Sequence, residues 1–269
     1  MTRYNVILSE AKDLTQKERI MIRLYKAYMN RFLKSIYFIG GCIIALAVTY
    51  AVTGNTLAVP FLVESDIATR MFFVTAAMVA YFTVFIPVFT GAEYSDGTIR
   101  NKIVAGFSQR QIFFSLYLAY ASLALIMWIC YLIGGIAAGA NPFGGYAAGN
   151  IVMLFAVMAY IAFMQTVAFR LTKMAAVVIA AGFTFMTCFN MVMFGNAILM
   201  VLYDSELYTA GYIASLVYNI NALGQWFSNT GFSDDYANPG TPVQLLLSVI
   251  ITLLMFIIGT SGLKKRDVI

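Results

Sequence analysis

The stretch MAAVVIAAGFTFMTCFNMVMFGNAILMVLY, Met174–Tyr203, decides the fold class, because its 30 residues include no aspartate, glutamate, lysine or arginine. A bilayer core about 30 Å thick requires about 20 apolar residues in an α-helix. Five more uncharged stretches are comparable in length: Ile36–Thr53, Met71–Thr90, Ile112–Ala138, Ala148–Phe169 and Val243–Leu263. All are longer than barrel strands, and apolar and polar residues do not alternate in them. The sequence therefore predicts an all-α integral membrane protein with six transmembrane helices.

The overall composition agrees with a chain that lies mostly in lipid. Of its 269 residues, 61% are hydrophobic and 11% charged, whereas soluble domains average about 45–50% apolar and about 25% charged residues. The chain has no histidine, which excludes imidazole acid–base catalysis and metal sites that need a histidine ligand. Cys42, Cys130 and Cys188 lie far apart in apolar stretches. They are interpreted as small packing residues, since their spacing matches no metal or redox motif.

The distribution of cations predicts how the spans are oriented. Sixteen of the 17 lysines and arginines, all except Arg70, fall in segments that face one side when six spans alternate. The positive-inside rule then places both termini in the cytoplasm. We predict a cytoplasmic segment over 1–17, an amphipathic helix over 18–34, a single transmembrane domain over 35–263 and a cytoplasmic tail over 264–269.

The segment ERIMIRLYKAYMNRFLK, residues 18–34, has two faces when it is drawn as a helix. Its apolar face carries Met21, Leu24, Tyr25, Tyr28 and Phe32, and basic residues occupy the opposite side. A basic amphipathic helix suits the surface of an anionic inner leaflet. The alternative is a solvated topology signal in front of the first span.

The longest predicted cytoplasmic loop between spans is GAEYSDGTIRNKIVAGFSQRQ, residues 91–111. Ser95 or Asp96 is expected to cap a short helix that ends at Val104. Ser108 and Gln111 match a capping box that starts the third span. A short capped helix between two membrane helices suits a rigid docking surface for a cytoplasmic partner, and an ordinary hydrated loop is the alternative.

The predicted outer segment, residues 204–241, is rich in aromatic residues and too polar to span the bilayer. We expect one or two short helices there, near the lipid headgroups. Thr241, Pro242 and Gln244 match the N-cap, first-turn proline and third-position glutamine of the last span. Because Gly195 and Asn196 interrupt the fifth stretch, its end is expected to bend or re-enter.

The uncharged spans disfavour several classes of function. Proton-coupled carriers normally place ionisable groups at membrane depth, and the sequence has no metalloprotease, serine-hydrolase or P-loop motif. We therefore predict no catalytic residue, no metal, no cofactor bound by this chain and no nucleic-acid partner. Gln165, Asn190 and Asn196 are the polar candidates within the spans. They are expected to form hydrogen bonds between helices or to line a path.

A loop motif carries a family resemblance. The residues EYSDGTIR, Glu93–Arg100, follow the second span, and GFSQR, Gly106–Arg110, precede the third. This pattern resembles the type-2 permease subunits of bacterial ABC transporters, which have an acidic residue, G-T-[IL]-[RK], and then a glycine and a Ser-Arg-like pair. Gln109 separates Ser108 from Arg110, which departs from that pair. The ending LKKRD and the topology along nearly the whole chain are also similar.

The resemblance implies the membrane subunit of an ATP-driven exporter in the bacterial cell membrane. Ser95–Val104 would be a coupling helix seated on a separate ATPase subunit, and 18–34 the family's connecting helix. Two copies of that ATPase would bind ATP-Mg, and a second permease copy, identical or paralogous, would complete the path. The implied coupling residues are Glu93, Gly97, Thr98, Ile99, Arg100 and Ile103. Glu93 and Arg100 would fix the loop or pair with the partner.

The cargo is less constrained than the topology. An uncharged membrane interior accommodates an amphipathic or apolar cargo more easily than a hydrophilic ion. The resemblance favours an amphipathic or antimicrobial peptide, and lipids, drugs and glycans remain open. A stand-alone channel or secondary carrier, and a membrane sensor or scaffold, are the competing functions.

Overall fold

The computed structural model describes residues 21–171, 173–230 and 235–261, and within these ranges the chain is helical and contains no strand. In chain order, the α-helices are α1 (21–33), α2 (Ile36–Thr53), α3 (Ile67–Phe73), α4 (Ala76–Ser95), α5 (Thr98–Val104), α6 (Gln109–Ala137), α7 (Ala147–Arg170), α8 (Met174–Asp204), α9 (Tyr208–Tyr218), α10 (Ala222–Ser228) and α11 (Thr241–Thr260). Short 3-10 helices cover Pro60–Leu62 and Asp235–Ala237. The predicted segments over 1–17 and 264–269 lie outside the described residues.

Six helical segments are long and apolar enough to cross a membrane, which agrees with the predicted number and with a multi-pass membrane protein. They are α2, the α3–α4 pair, α6, α7, α8 and α11. The second span differs most from its predicted bounds, because it runs from Ile67 to Ser95 and includes Arg70 and Glu93. The predicted bounds were set by the nearest charged or flanking residues. The helix itself continues past a charged residue when that side chain reaches water or a partner.

The fifth span, α8, is one continuous helix. The expected re-entry at Gly195 and Asn196 is therefore wrong, because the helix continues to Asp204. A Cβ atom on Gly195 would lie 2.7 Å from Cδ2 of Tyr218 on α9. This glycine thus makes room for a neighbouring aromatic ring and leaves the helix intact.

The centre of the bundle is α7, which packs against α4, α6, α10 and α11. In the most apolar 18-residue stretch of α7, 67% of the residues are buried, against 17% in the corresponding stretches of α8 and α11. The small residues Ala156, Ala159 and Ala162 of α7 are buried and allow close helix packing. The fourth span is therefore the core helix, and the fifth and sixth spans present most of their apolar surface outward.

The apolar face predicted for the N-terminal helix is buried against protein. Leu24, Tyr28 and Phe32 of α1 belong to the main hydrophobic core. The ring of Phe32 stacks on Tyr120 of α6 at 5.1 Å and meets Phe85 of α4 edge-on at 5.8 Å. Helix α1 is therefore held on the bundle by α4 and α6, with its basic side exposed.

Two predicted helix starts have different outcomes. The capping box of α6 is confirmed: Ser108 Oγ accepts from the Gln111 amide at 3.3 Å, and Gln111 Oε1 accepts from the Ser108 amide at 2.9 Å. The predicted cap of α11 is wrong, because Gly240 occupies the N-cap and Thr241 already belongs to the helix. Gln244 instead points into a buried polar network.

Candidate functional site

The chain reverses sharply where the second span ends and α5 begins. Asp96 is the C-cap of α4, and Gly97 follows with φ 66° and ψ 12°, the left-handed conformation. The expected cap by Ser95 or Asp96 is wrong: Ser95 Oγ donates to the Gly91 carbonyl at 2.8 Å within α4, and Gly97 occupies the N-cap of α5. A side chain at this position would cost about 1–2 kcal/mol. Gly97 therefore permits the turn that orients α5.

One buried carboxylate joins three helices at this turn. Glu93, in the last turn of α4, is 3% exposed. Its Oε1 accepts a hydrogen bond from Arg31 Nη1 of α1 at 2.6 Å, and its Oε2 accepts from Lys102 Nζ of α5 at 2.8 Å. Tyr28 of α1 donates from its hydroxyl to Oε2 at 3.2 Å. We call these four residues the Glu93 cluster; it ties α1, α4 and α5 together.

Of the two cations that contact Glu93, Lys102 is the more deeply buried. Its side chain is 18% exposed, against 40% for Arg31, so its ion pair with Glu93 is less screened by solvent. Lys102 Nζ also donates to the Tyr28 hydroxyl at 2.8 Å and lies 4.0 Å from the centre of that ring. Burial lowers the pKa of Lys102, an effect that the Glu93 carboxylate opposes. Burial, reinforced by Glu93, raises the pKa of Tyr28.

Helix α5 has an anchored face and an outward face. Ile99 is buried in the core and Ile103 packs against it, whereas Arg100 is exposed and Val104 is 81% exposed. Residues four apart lie on the same side of a helix, so Arg100 and Val104 project together. Gly97 and Thr98 are half-buried at the start of α5.

The six predicted coupling residues thus lie in different surroundings, with Gly97 and Thr98 half-buried at the start of α5. Glu93, Ile99 and Ile103 hold α5 on the bundle, and Arg100 faces outward with no hydrogen bond or ion pair to any other residue that the structure describes. Sequence reasoning missed Arg31, Lys102 and Tyr28 as partners of Glu93. A signal existed for Lys102, because it lies three residues after Ile99 and therefore on the same buried face.

The three polar residues proposed within the spans lie in different surroundings. Gln165 of α7 is fully buried, and its Nε2 donates to the Phe113 carbonyl of α6 at 2.7 Å. Asn190 is exposed on α8, and Asn196 is half-buried there. Gln165 therefore forms a hydrogen bond between helices.

A second buried polar cluster, not predicted from sequence, links α9, α10 and α11. Gln244 Nε2 donates to Asn219 Oδ1 at 2.9 Å and to Ser228 Oγ at 2.8 Å. Gln225 Nε2 donates to the Asn219 carbonyl at 2.7 Å, and Ser248 Oγ donates to Gln225 Oε1 at 3.1 Å. We call these residues the Gln244 network. Because its members are buried and paired, it anchors the short helices after the fifth span to the last span.

The described residues contain no group of three histidine, cysteine, aspartate or glutamate side chains placed to hold a metal ion. In comparisons with known proteins, no family model, curated protein or solved structure matches this chain.

Proposed function

We propose that this chain is the transmembrane permease subunit of an ATP-driven ABC exporter. Two copies of a separate ATPase subunit would bind ATP-Mg and drive it, and a second permease copy, identical or paralogous, would complete the translocation path. The observation that carries the proposal is the attachment of α5 to α1 and α4 through the buried carboxylate of Glu93.

This attachment suits a helix that transmits force. Helix α5 follows α4 through the turn at Gly97, leads to α6 through the capping box at Ser108, and is anchored sideways by Ile99. A displacement of α5 would therefore move α1 and the end of the second span with it, because the Glu93 cluster links all three. Packed elements of this kind shift as units and do not deform continuously.

The surface available to a partner is the outward face of α5. Arg100 supplies a cation and Val104 an exposed apolar side chain one helical turn later. A groove on the ATPase with an acidic rim and an apolar floor would complement this pair. The predicted cytoplasmic orientation, which follows from the lysine and arginine distribution, puts α5 on the side where ATP is available.

The proposed cargo is an amphipathic or antimicrobial peptide, or another hydrophobic molecule, exported across the bacterial cell membrane. Support comes from the six uncharged stretches of the sequence, which provide no charged site for a hydrophilic ion at membrane depth. The family resemblance of the loop motif supports the same class of cargo.

The test is purification in mild detergent followed by identification of the bound proteins. We expect a P-loop ATPase without membrane spans to co-purify and to hydrolyse ATP in a permease-dependent manner. Arg100→Glu should abolish both, and the matched variant Arg100→Lys, which keeps the cation, should retain both. Flux in proteoliposomes that contain no ATPase, driven by an ion gradient alone, would refute the proposal and favour a secondary carrier.

A further inference from the structure

An apolar groove separates the first span from the second. Helix α2 packs chiefly on α6, where the absence of a side chain at Gly134 lets the backbone of α2 come close: a Cβ there would lie 2.6 Å from the Leu46 carbonyl oxygen. Between α2 and α4 this leaves a cavity of about 340 Å³, whose lining includes Gly40, Ile44 and Val48 of α2, Tyr81 of α4 and Met127 of α6. The groove thus has two helical walls and a floor formed by α6.

Of the four hydroxyl groups that line the groove, those of Thr49, Tyr81 and Tyr131 are paired, and that of the exposed Tyr37 has no hydrogen bond to another described residue. Thr49 Oγ1 donates to the Ala45 carbonyl at 2.6 Å within α2, and the Tyr131 hydroxyl donates to Asn150 Oδ1 at 2.8 Å. The Tyr81 hydroxyl donates across the gap to the Tyr37 carbonyl at 3.4 Å. These side chains leave the groove a surface of hydrocarbon, which suits an alkyl chain and not a polar ligand.

The length of the groove and the basic residues beside one end of it indicate which kind of alkyl chain it fits. From Ile36 to Val48, α2 rises about 18 Å at about 1.5 Å per residue, close to one leaflet of a hydrocarbon core about 30 Å thick. The Ile36 end adjoins Lys34, which is exposed, and Arg31 lies one turn earlier. Cations at the edge of the hydrocarbon attract anionic headgroups.

We propose that this groove binds one acyl chain of an anionic phospholipid from the leaflet on the α1 side, with the lipid phosphate beside Lys34. The lipid would fill the gap between the first and second spans. The proposal does not depend on the exporter function, since it rests on the groove and on a bilayer around it.

Two glycines provide a matched test. A Cβ on Gly40 would meet nothing within 4 Å, and the same holds for Gly182 on α8. The Cβ of Gly40→Leu would therefore meet no neighbouring atom, and the rest of the side chain would occupy space in the groove. Gly182→Leu would add the same side chain elsewhere in the membrane. We expect native mass spectrometry, after addition of phosphatidylglycerol, to detect one retained lipid on the wild type and on Gly182→Leu. The lipid should be lost from Gly40→Leu and partly lost from Gly40→Ala.

The headgroup is tested separately with Lys34→Gln. This variant should lower the preference for phosphatidylglycerol over phosphatidylcholine about fivefold, as expected for one basic residue at a membrane surface. If Gly40→Leu does not fold, a phosphatidylglycerol with a diazirine in its acyl chain, added at one lipid per wild-type chain, should label residues 36–49 and not α8.

Three results would overturn the proposal: lipid retention by a folded Gly40→Leu, equal labelling of 36–49 and α8, or an unchanged headgroup preference in Lys34→Gln. A dimer that dissociates in Gly40→Leu while the lipid count stays constant would place a second copy in the groove and would also overturn it.

Discussion

Replacing Glu93 with glutamine removes the negative charge that pairs with Lys102 of α5. The substitution keeps the size and shape of the side chain and leaves one oxygen to accept hydrogen bonds. It takes the counter-charge away from Lys102 and Arg31, which contact separate oxygens of the carboxylate. We therefore expect α5 to detach more readily while the spans stay folded.

The expected loss follows from the burial of each partner. Removing one member of a buried ion pair costs about 3–5 kcal/mol, whereas exposed pairs contribute about 0–1 kcal/mol. The Lys102 side chain, 18% exposed, lies between these limits, and the Arg31 side chain, 40% exposed, lies near the lower one. Because glutamine still accepts one hydrogen bond, Glu93→Gln should weaken the docking of α5 by about 2–3 kcal/mol. That loss corresponds to about 30–150-fold faster opening at about 1.4 kcal/mol per tenfold.

Hydrogen exchange of the backbone amides of residues 98–104, measured in nanodiscs, reports this opening directly. The matched control is Asp96→Asn, which removes the same charge from an exposed position in the same turn. We expect Lys102→Met to fall between Glu93→Gln and Arg31→Met, in the order of burial. Exchange in Glu93→Gln within twofold of Asp96→Asn would refute the role of the Glu93 cluster as the clamp on α5.

Three further predictions concern other parts of the molecule. Gln244→Leu should destabilise the protein by about 2 kcal/mol in a detergent unfolding titration, because it leaves buried partners unpaired. Thr260→Val, which removes a hydrogen bond within α11, should cost less, and equal losses would contradict the role of the Gln244 network. Cys42 and Cys130 lie in side-chain contact, so a short thiol cross-linker should join them within one chain. Mass spectrometry should then detect the linked peptides. Recovery of unlinked peptides alone would contradict the packing of α2 on α6. Since the pKa of Tyr28 is raised, the folded chain keeps this proton while the unfolded chain loses it above about pH 10. Above about pH 10 the stability of the wild type should therefore fall more steeply with pH than the stability of Tyr28→Phe, by up to about 1.4 kcal/mol per pH unit in thermal unfolding. Identical slopes would contradict a raised pKa for Tyr28.

Much of the architecture was predictable because, in a membrane, the conformation of a segment depends mainly on its own residues. A membrane helix pairs its backbone groups within its own segment, so a long uncharged apolar stretch such as Met174–Tyr203 predicts a helix without knowledge of its neighbours. The capping box of Ser108 and Gln111 and the apolar face of α1 are equally local, since both depend on spacings of three or four residues.

Other expectations failed where one local pattern fits two structures. A glycine beside an asparagine occurs at helix breaks, and also where a helix accommodates a bulky neighbour, as Gly195 accommodates Tyr218. Gln244 stands where a capping glutamine would, yet its side chain is buried among Asn219 and Ser228. Which structure forms depends on the residue that packs against the pattern, and that residue lies elsewhere in the chain.

The sequence alone determined the number of spans and the capping box that starts the third span. Only the tertiary structure decided that Glu93 is held by Tyr28 and Arg31, more than 60 positions away, and that α2 leaves a groove beside α4. The physical reason is that lipid is as apolar as the helix surfaces, so hydrophobicity does not select which helices pair. Their partners are selected by side-chain fit and by hydrogen bonds between helices, which no pattern within one segment specifies.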